Sequence, residues 1–562
     1  VRPDRTAIHV SAVFSLLVGT AIAIGLADAA LIASLRLGAA GAFQYIPPRL
    51  WVIAPLCWVA ATSLIALASF AVSRRYGAQL TLIGAIVLFA AVRLRDQSTM
   101  RIIAGAIATI AVCAIGAWIA RRWLARRRRP AVVAIAAMLA VVIAAAATAA
   151  AGDDAEPAPH ASPRTGASPD VLLVVLDTVS HDAVFPNGRD VDPRFPNLAR
   201  LARSGVVFDR AYTTAPWTLP AHFSAVTGLP AHDLGVDFED QQYNRSIPTL
   251  AQRFRRDGYR TAAVISNTFL NHGSGFGRGF DTFEQAGNAL DVCRTAPGLL
   301  LDRYSPWFAA TVCNWSAREV TDRALAHVTN TRAPLFLLLN YMDAHDPYYV
   351  EADCRAPGTE VRAFRDVPPA AYRREYYANH LDAIRCIDRH LGRLFARMRN
   401  DAVIAVVADH GEQFGEHGLV RHGNSVYDQL LRVPLIIAGP RVTPQRVTQP
   451  LSLTALPQLI AAASEGKPFA SAAAPVISFL AGSAATGGIE HWSVVRGRWH
   501  FLSKRGAEEL YDLATDPDER HNRVRDGAAA PLLDRFRADL ATQRRFQDRE
   551  TERAFRSLGY VN

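Results

Sequence analysis

Asp177 and the adjacent pair Asp409-His410 each follow a short apolar run that ends abruptly in charge. Two carboxylates and one imidazole make a donor set for a divalent cation such as Mn²⁺, Mg²⁺, Ca²⁺ or Zn²⁺. Asp-His-Gly at a strand end can equally be a structural turn with a hydrogen-bonded carboxylate, and these residues alone leave both readings open. A third group lies in APWTLPAHFSAVTGLPAH, residues 215–232. Thr218 stands at an expected helix start, with Pro220 in the first turn. Free backbone N–H groups and the positive dipole end favour an anion there. A hydroxyl at that place could attack an ester once a bound cation lowered its pKa. The plain alternative is that Thr218 only caps the helix.

Seven segments follow one another along the chain: VLLVVLDTVSHD, PNLARLARSGVVFDRAYTTAPWTLPAHFSAVTGL, GYRTAAVISNTFL, NYMDAHDPY, ADHGEQFGEHG, HGNSVYDQLLRVPLII and ELYDLATDPDERHN. Together they resemble the sulfatase-like branch of the alkaline phosphatase superfamily, over nearly all of residues 170–525. The resemblance implies that Asp177, Asp409 and His410 hold the metal, and that Thr218 is the nucleophile and also touches the ion. It further implies a catalytic, anion-binding role for His345 and a contact between His422 and the substrate or leaving group. His222 and Asn267 fall on substrate-binding positions, His222 where true sulfatases carry an arginine and Asn267 at an oxyanion contact. His417, in Gly-Glu-His-Gly, is either a group of the site or a surface histidine.

The departures carry information. True sulfatases convert Cys or Ser of a Cys/Ser-x-Pro-x-Arg motif to formylglycine, whereas this chain reads Thr218-Leu219-Pro220-Ala221-His222. Threonine carries a β-methyl and cannot give that aldehyde, which argues against formylglycine chemistry. Threonine nucleophiles are typical of the family's phosphotransferases, such as those similar to lipoteichoic-acid synthases and phosphoethanolamine transferases. The tail LYDLATDPDERHN is more typical of sulfatases. Thr178 also stands where sulfatases often have a second carboxylate.

The elements that must position these groups follow from periodicity. Continuous apolar runs at Val171–Leu176, Thr261–Ile265, Leu335–Leu339, Val403–Val407 and Val433–Ile437 are expected strands buried on both faces. Helical patterns lie between them at Asn197–Ser204, Ile247–Asp257, Arg318–Thr329 and Tyr372–Met398. Strand alternating with helix predicts an α/β domain with a mostly parallel sheet, its ligands at the strands' carboxyl ends. With the resemblance, this becomes an alkaline-phosphatase-like α/β/α sandwich over 170–490. Beyond residue 490, short alternating segments predict a small C-terminal antiparallel subdomain with a tail, 491–562.

The first quarter of the 562-residue chain is different. Apolar runs at Ala7–Leu26, Trp51–Val72, Gln79–Val92, Ile102–Ala120 and Ala131–Ala150 predict a helical membrane domain of about five spans over 1–150. The net charge of +10 is distributed unevenly. Residues 1–150 hold 15 Arg against three Asp, and the remainder holds 46 basic against 48 acidic groups. The cluster Arg121, Arg122 and Arg126–Arg129 should stay inside, which puts the N-terminus in the cytoplasm of a bacterial inner membrane and the catalytic domain outside. Residues 151–169 read as a flexible linker. A near-neutral soluble part excludes nucleic acid as a partner. The expected partners are the lipid bilayer and an envelope lipid or glycan substrate. The four cysteines beyond the apolar runs allow three connectivities; pairing of sequence neighbours, Cys293–Cys313 and Cys354–Cys386, is expected, with four buried free thiols as the alternative. The expected activity is cleavage or transfer of a phosphodiester group. Sulfate-ester hydrolysis and non-catalytic binding of an envelope polymer are the alternatives.

Overall fold

The computed structural model describes residues 168–542 except 239, 244, 287–314, 329–332, 349, 351–353, 356–366, 470–473, 484–485 and 505. The five expected spans, most of the linker, and Cys293 and Cys313 lie outside the described residues. No described helix is long and apolar enough to cross a membrane.

Eight strands form the main sheet. They are β1 (Val171–Leu176), β2 (Gly205–Phe208), β3 (Arg260–Ile265), β4 (Thr282–Gln285), β5 (Leu335–Tyr341), β6 (Val403–Ala408), β7 (Leu435–Ala438) and β8 (Gln445–Val447). Their order is β8-β2-β7-β6-β1-β5-β3-β4. Only β7 runs against its neighbours. β1 sits at the centre, with Val171 opposite Phe336 on one side and Val403 on the other. Each of its six residues is buried, as a strand with neighbours on both edges and helices on both faces must be.

One helical layer contains α1 (Pro196–Ser204), α4 (Ala317–His327) and α5 (Pro369–Phe395). The other contains α2 (Thr218–Thr227), α3 (Leu250–Arg256) and α6 (Leu456–Glu465). The result is the expected sandwich, with local corrections. The pattern at Ile247–Asp257 becomes helical only at Leu250, because Thr249 and Gln252 form a capping box there. The run Val433–Ile437 is not one strand. Pro434 cannot donate to a ladder, so Arg432–Val433 pairs with Ala211–Tyr212 while β7 joins the main sheet.

Four antiparallel strands follow: β9 (Val476–Leu480), β10 (His491–Arg496), β11 (Trp499–Lys504) and β12 (Ala507–Asp512). The sheet therefore takes in Val476–Leu480, ahead of the start expected at residue 491. That apolar run shows no alternation, because one side of it meets the main core while Ile477 belongs to a second cluster. Phe536 and Leu540, in the helical segment 530–542, complete this second cluster. Cys354 and Cys386 form the expected disulfide, which ties the loop after β5 to α5.

Candidate active site

The sheet's carboxyl ends converge because β1, β3, β5 and β6 are parallel and adjacent. Asp177 directly follows β1, Asp409 directly follows β6, and Asn267 lies two residues beyond β3. Asp177, Asp409 and His410 are all buried. Their ligating atoms lie within 4.8 Å of one another.

The hydrogen bonds leave one side of each group open. Asp177 Oδ2 accepts from Asn267 Nδ2 at 2.8 Å and Asn340 Nδ2 at 3.3 Å, whereas its Oδ1 is buried without a hydrogen-bond partner. Asp409 Oδ1 accepts from the backbone N–H of His410 at 2.8 Å and of Thr178 at 3.2 Å. Its Oδ2 has no hydrogen-bond partner, although His222 Nδ1 and His410 Nε2 each lie 3.3 Å away. His410 Nδ1 donates to the Gly411 carbonyl at 3.0 Å, which leaves the Nε2 lone pair for a ligand. Burial, and then the neighbouring Asp177 carboxylate, push the Asp409 carboxyl well above its usual range. Burial, and then His422, hold His410 well below its ordinary value, so its ring is neutral. Two orphaned carboxylate oxygens and an imidazole nitrogen meeting in one buried place fit a divalent cation.

Thr218 is the first residue of α2, and the N-cap position before it belongs to Trp217. No side-chain cap bond is made at this end, so the capping alternative does not describe Thr218. Its Oγ1 lies 3.5 Å from His410 Nε2 and 3.4 Å from Asn267 Nδ2. One turn on, His222 Nδ1 donates to the Thr218 carbonyl at 2.9 Å, and its Nε2 accepts from Asn340 Nδ2 at 3.4 Å. Both ring nitrogens are thus taken up by protein, and burial lowers the pKa of the ring. In this arrangement His222 braces the helix start. Asn267 is held by its own N–H to Asn340 Oδ1 at 2.9 Å, which aims its amide at Asp177 and Thr218.

His345 and His422 come to the same place from two loops. Their rings are 4.9 Å apart, and His422 is 4.5 Å from His410. Burial disfavours a charged His345, yet the Asp346 carboxylate 2.8 Å from its Nδ1, with Asp177 and Glu412 further off, holds its pKa up at about 10. His417 stands apart, exposed and stacked on Tyr427 with ring centres 3.7 Å apart.

Asn340 and Glu412 were missed in the sequence. Asn340 is the polar residue in the strand LFLLLNY, a buried position that demands partners. Glu412 shares the segment that gives Asp409 and His410, and it accepts from His422.

The sulfatase family model matches residues 169–464, more than half of the chain. The chain belongs to the sulfatase family. The protein is a sulfatase-family hydrolase. A choline-sulfatase of Rhizobium meliloti is 26% identical over 438 residues, which cover 64% of this chain and 83% of that protein. A Delta 4,5-hexuronate-2-O-sulfatase of Bacteroides thetaiotaomicron is 24% identical over 449 residues, 68% of this chain and 89% of the relative. Among solved structures, the phosphonate monoester hydrolase of Agrobacterium radiobacter superposes with a TM-score of 0.53 at 18% identity, covering 67% of this chain and 96% of that one. The structural likeness speaks to the fold.

Proposed function

We propose that this sulfatase-family protein is a metal-dependent enzyme that cleaves or transfers phosphodiester groups through a covalent intermediate on Thr218. The observation that carries the reading is Thr218 Oγ1 at a helix start, 3.5 Å from His410 Nε2, beside two buried carboxylates. A threonine at this position cannot supply an aldehyde. Asp177, Asp409 and His410 would hold the cation, with Thr218 touching it. A divalent cation bound there would favour the Thr218 alkoxide and neutralise part of the ester's charge.

This chain's own groups do the rest. Asn267 Nδ2 aims the attacking oxygen, and the start of α2 offers N–H groups to the anion. His345 faces the ester's remaining oxygens, and His422 faces the departing one. The bond from Thr218 Oγ1 to phosphorus forms, and the bond to the departing oxygen breaks, its electron pair staying on that oxygen. One proton leaves the Thr218 hydroxyl and one reaches the departing alcohol. An acceptor hydroxyl or water then displaces threonine from phosphorus. The five apolar runs and their arginine distribution support a membrane-anchored enzyme with this domain outside the cytoplasm, acting on an envelope lipid or glycan.

A second reading is favoured by the similarity to curated sulfatases: sulfate-ester hydrolysis with threonine in place of formylglycine. Paired assays with Mn²⁺ separate the two. Bis(p-nitrophenyl) phosphate should be turned over faster than p-nitrophenyl sulfate; the reverse order favours the second reading. Thr218→Ala should lower kcat by at least about a thousandfold with its melting temperature kept, since nucleophile removal typically costs that much or more. Full turnover in that variant would sink both.

A further inference from the structure

What holds the His422 ring is a buried carboxylate. The Glu412 side chain is fully buried, and its Oε1 accepts from His422 Nδ1 at 3.0 Å. Its Oε2 accepts from the Tyr348 hydroxyl at 3.1 Å, and that hydroxyl lies 3.0 Å from the hydroxyl of Tyr372. Tyr348, Tyr372, Tyr376 and Phe414 form a buried aromatic cluster around this place. Burying a carboxylate among aromatic rings is unfavourable unless its lone pairs are used. Tyr348 also sits at φ 56°, a left-handed conformation that bulky residues rarely adopt. A strained backbone at the residue whose hydroxyl holds Glu412 marks a functional constraint. The geometry is specific: with Nδ1 engaged, Nε2 is the polar atom that His422 has left, on a ring already 4.5 Å from His410.

We propose that Glu412 is a positioning residue for ester cleavage. By taking His422 Nδ1, it fixes the imidazole so that its Nε2 edge meets the oxygen leaving the substrate. The proposal rests on the ester-cleaving reading of this site and not on whether the ester is phosphate or sulfate. A misdirected ring leaves substrate binding to the other groups, so the loss falls on kcat. It is greatest where the departing oxygen most needs a partner, in esters of poorly acidic alcohols.

The test compares bis(p-nitrophenyl) phosphate with diphenyl phosphate, or p-nitrophenyl with phenyl sulfate if sulfate is the ester turned over. Glu412→Gln keeps the size and an acceptor for Nδ1 but loses the charge that strengthens the bond. Its kcat should fall on the order of tenfold further for the phenyl ester than for the p-nitrophenyl ester, with KM within about twofold. In a His422→Ala background the same substitution should add no selective loss. An equal fall for both esters, an effect confined to KM, or a selective loss that survives without His422 would overturn the proposal. If Glu412→Gln does not fold, Tyr348→Phe, which frees Oε2, should show the same selective loss, and a uniform loss would overturn it. A wild-type enzyme inactive on every ester with Mn²⁺ would overturn the ester-cleaving reading itself, an outcome distinct from an active wild type with an unselective variant.

Discussion

Asp409 shows how a binding group and a stabilising group differ. Its carboxyl is buried beside Asp177, and the two repel whenever both are charged. Asp409→Asn keeps an oxygen for the N–H groups of His410 and Thr178 and removes that repulsion. The variant is expected to melt no lower than wild type in EDTA. It should also lose the calorimetric signal of Mn²⁺ binding and most of its turnover. A lower melting temperature without metal would show that the carboxylate is structural. Asp177, Thr218, Asp409 and His410 stood out in the sequence because each lies where an apolar run stops or a helix starts, and the resemblance supplied their roles. Asn340 and Glu412 were not, because what they do depends on which strand and loop lie alongside. Asn340 stands in register between Val175 and Ile265, a pairing that no local pattern encodes.

Among the elements, α5 holds both the start of α1 and the loop after β5. The N-cap of α1 is Phe195, whose side chain has no oxygen to offer, and the first N–H groups of that helix turn to α5 instead. Asp388, buried on α5, accepts from the N–H of Leu198 at 2.7 Å and of Asn197 at 3.2 Å. Asp388→Ala should therefore cost about 1–3 kcal/mol in urea denaturation, the range for stranded buried donors. No change in the midpoint would mean that α1 is held by packing alone. His380, on the same helix, donates from Nδ1 to the Ala344 carbonyl at 2.9 Å, next to His345. Burial, assisted by Arg373 and opposed by that bond, lowers its pKa to about 4. The folded ring is thus neutral while an unfolded one takes a proton below about pH 6.5. Stability from this source is present above that pH and is lost as pH falls towards 4, by up to about 3 kcal/mol. His380→Asn can still donate to Ala344 but cannot titrate, so its unfolding midpoint should change less between pH 7 and 4.5 than that of wild type. An unchanged pH dependence would assign the acid sensitivity elsewhere. The central parallel strands β1, β3, β5 and β6 and the helices α1, α3, α4 and α5 were readable from apolar runs and periodicity. The reversed β7 and the two-residue ribbons were not, because their partners lie far away in the chain.

At the scale of the molecule, the excess positive charge lies entirely in residues 1–150, since the remainder holds 46 basic against 48 acidic groups. The C-terminal sheet is joined to the catalytic part by more than contact. Phe479 N–H donates to the Thr214 carbonyl at 2.8 Å, and the Ser478 hydroxyl donates to that of Thr213 at 2.7 Å, both just ahead of Thr218. Glu519 accepts from the N–H of Asp428 at 2.8 Å, in the segment that begins with His422. Val476, Leu480, Val495, Leu502 and Tyr511 belong to the same apolar core as β1. A chain stopped after residue 464, where the family match ends, should aggregate or lose near-UV ellipticity, whereas one stopped after residue 542 should keep both fold and turnover. A soluble, active product of the shorter gene would refute this. Kinship and packing are drawn along different borders in this protein: the stretch that the family model matches ends before the strands whose side chains close the same core.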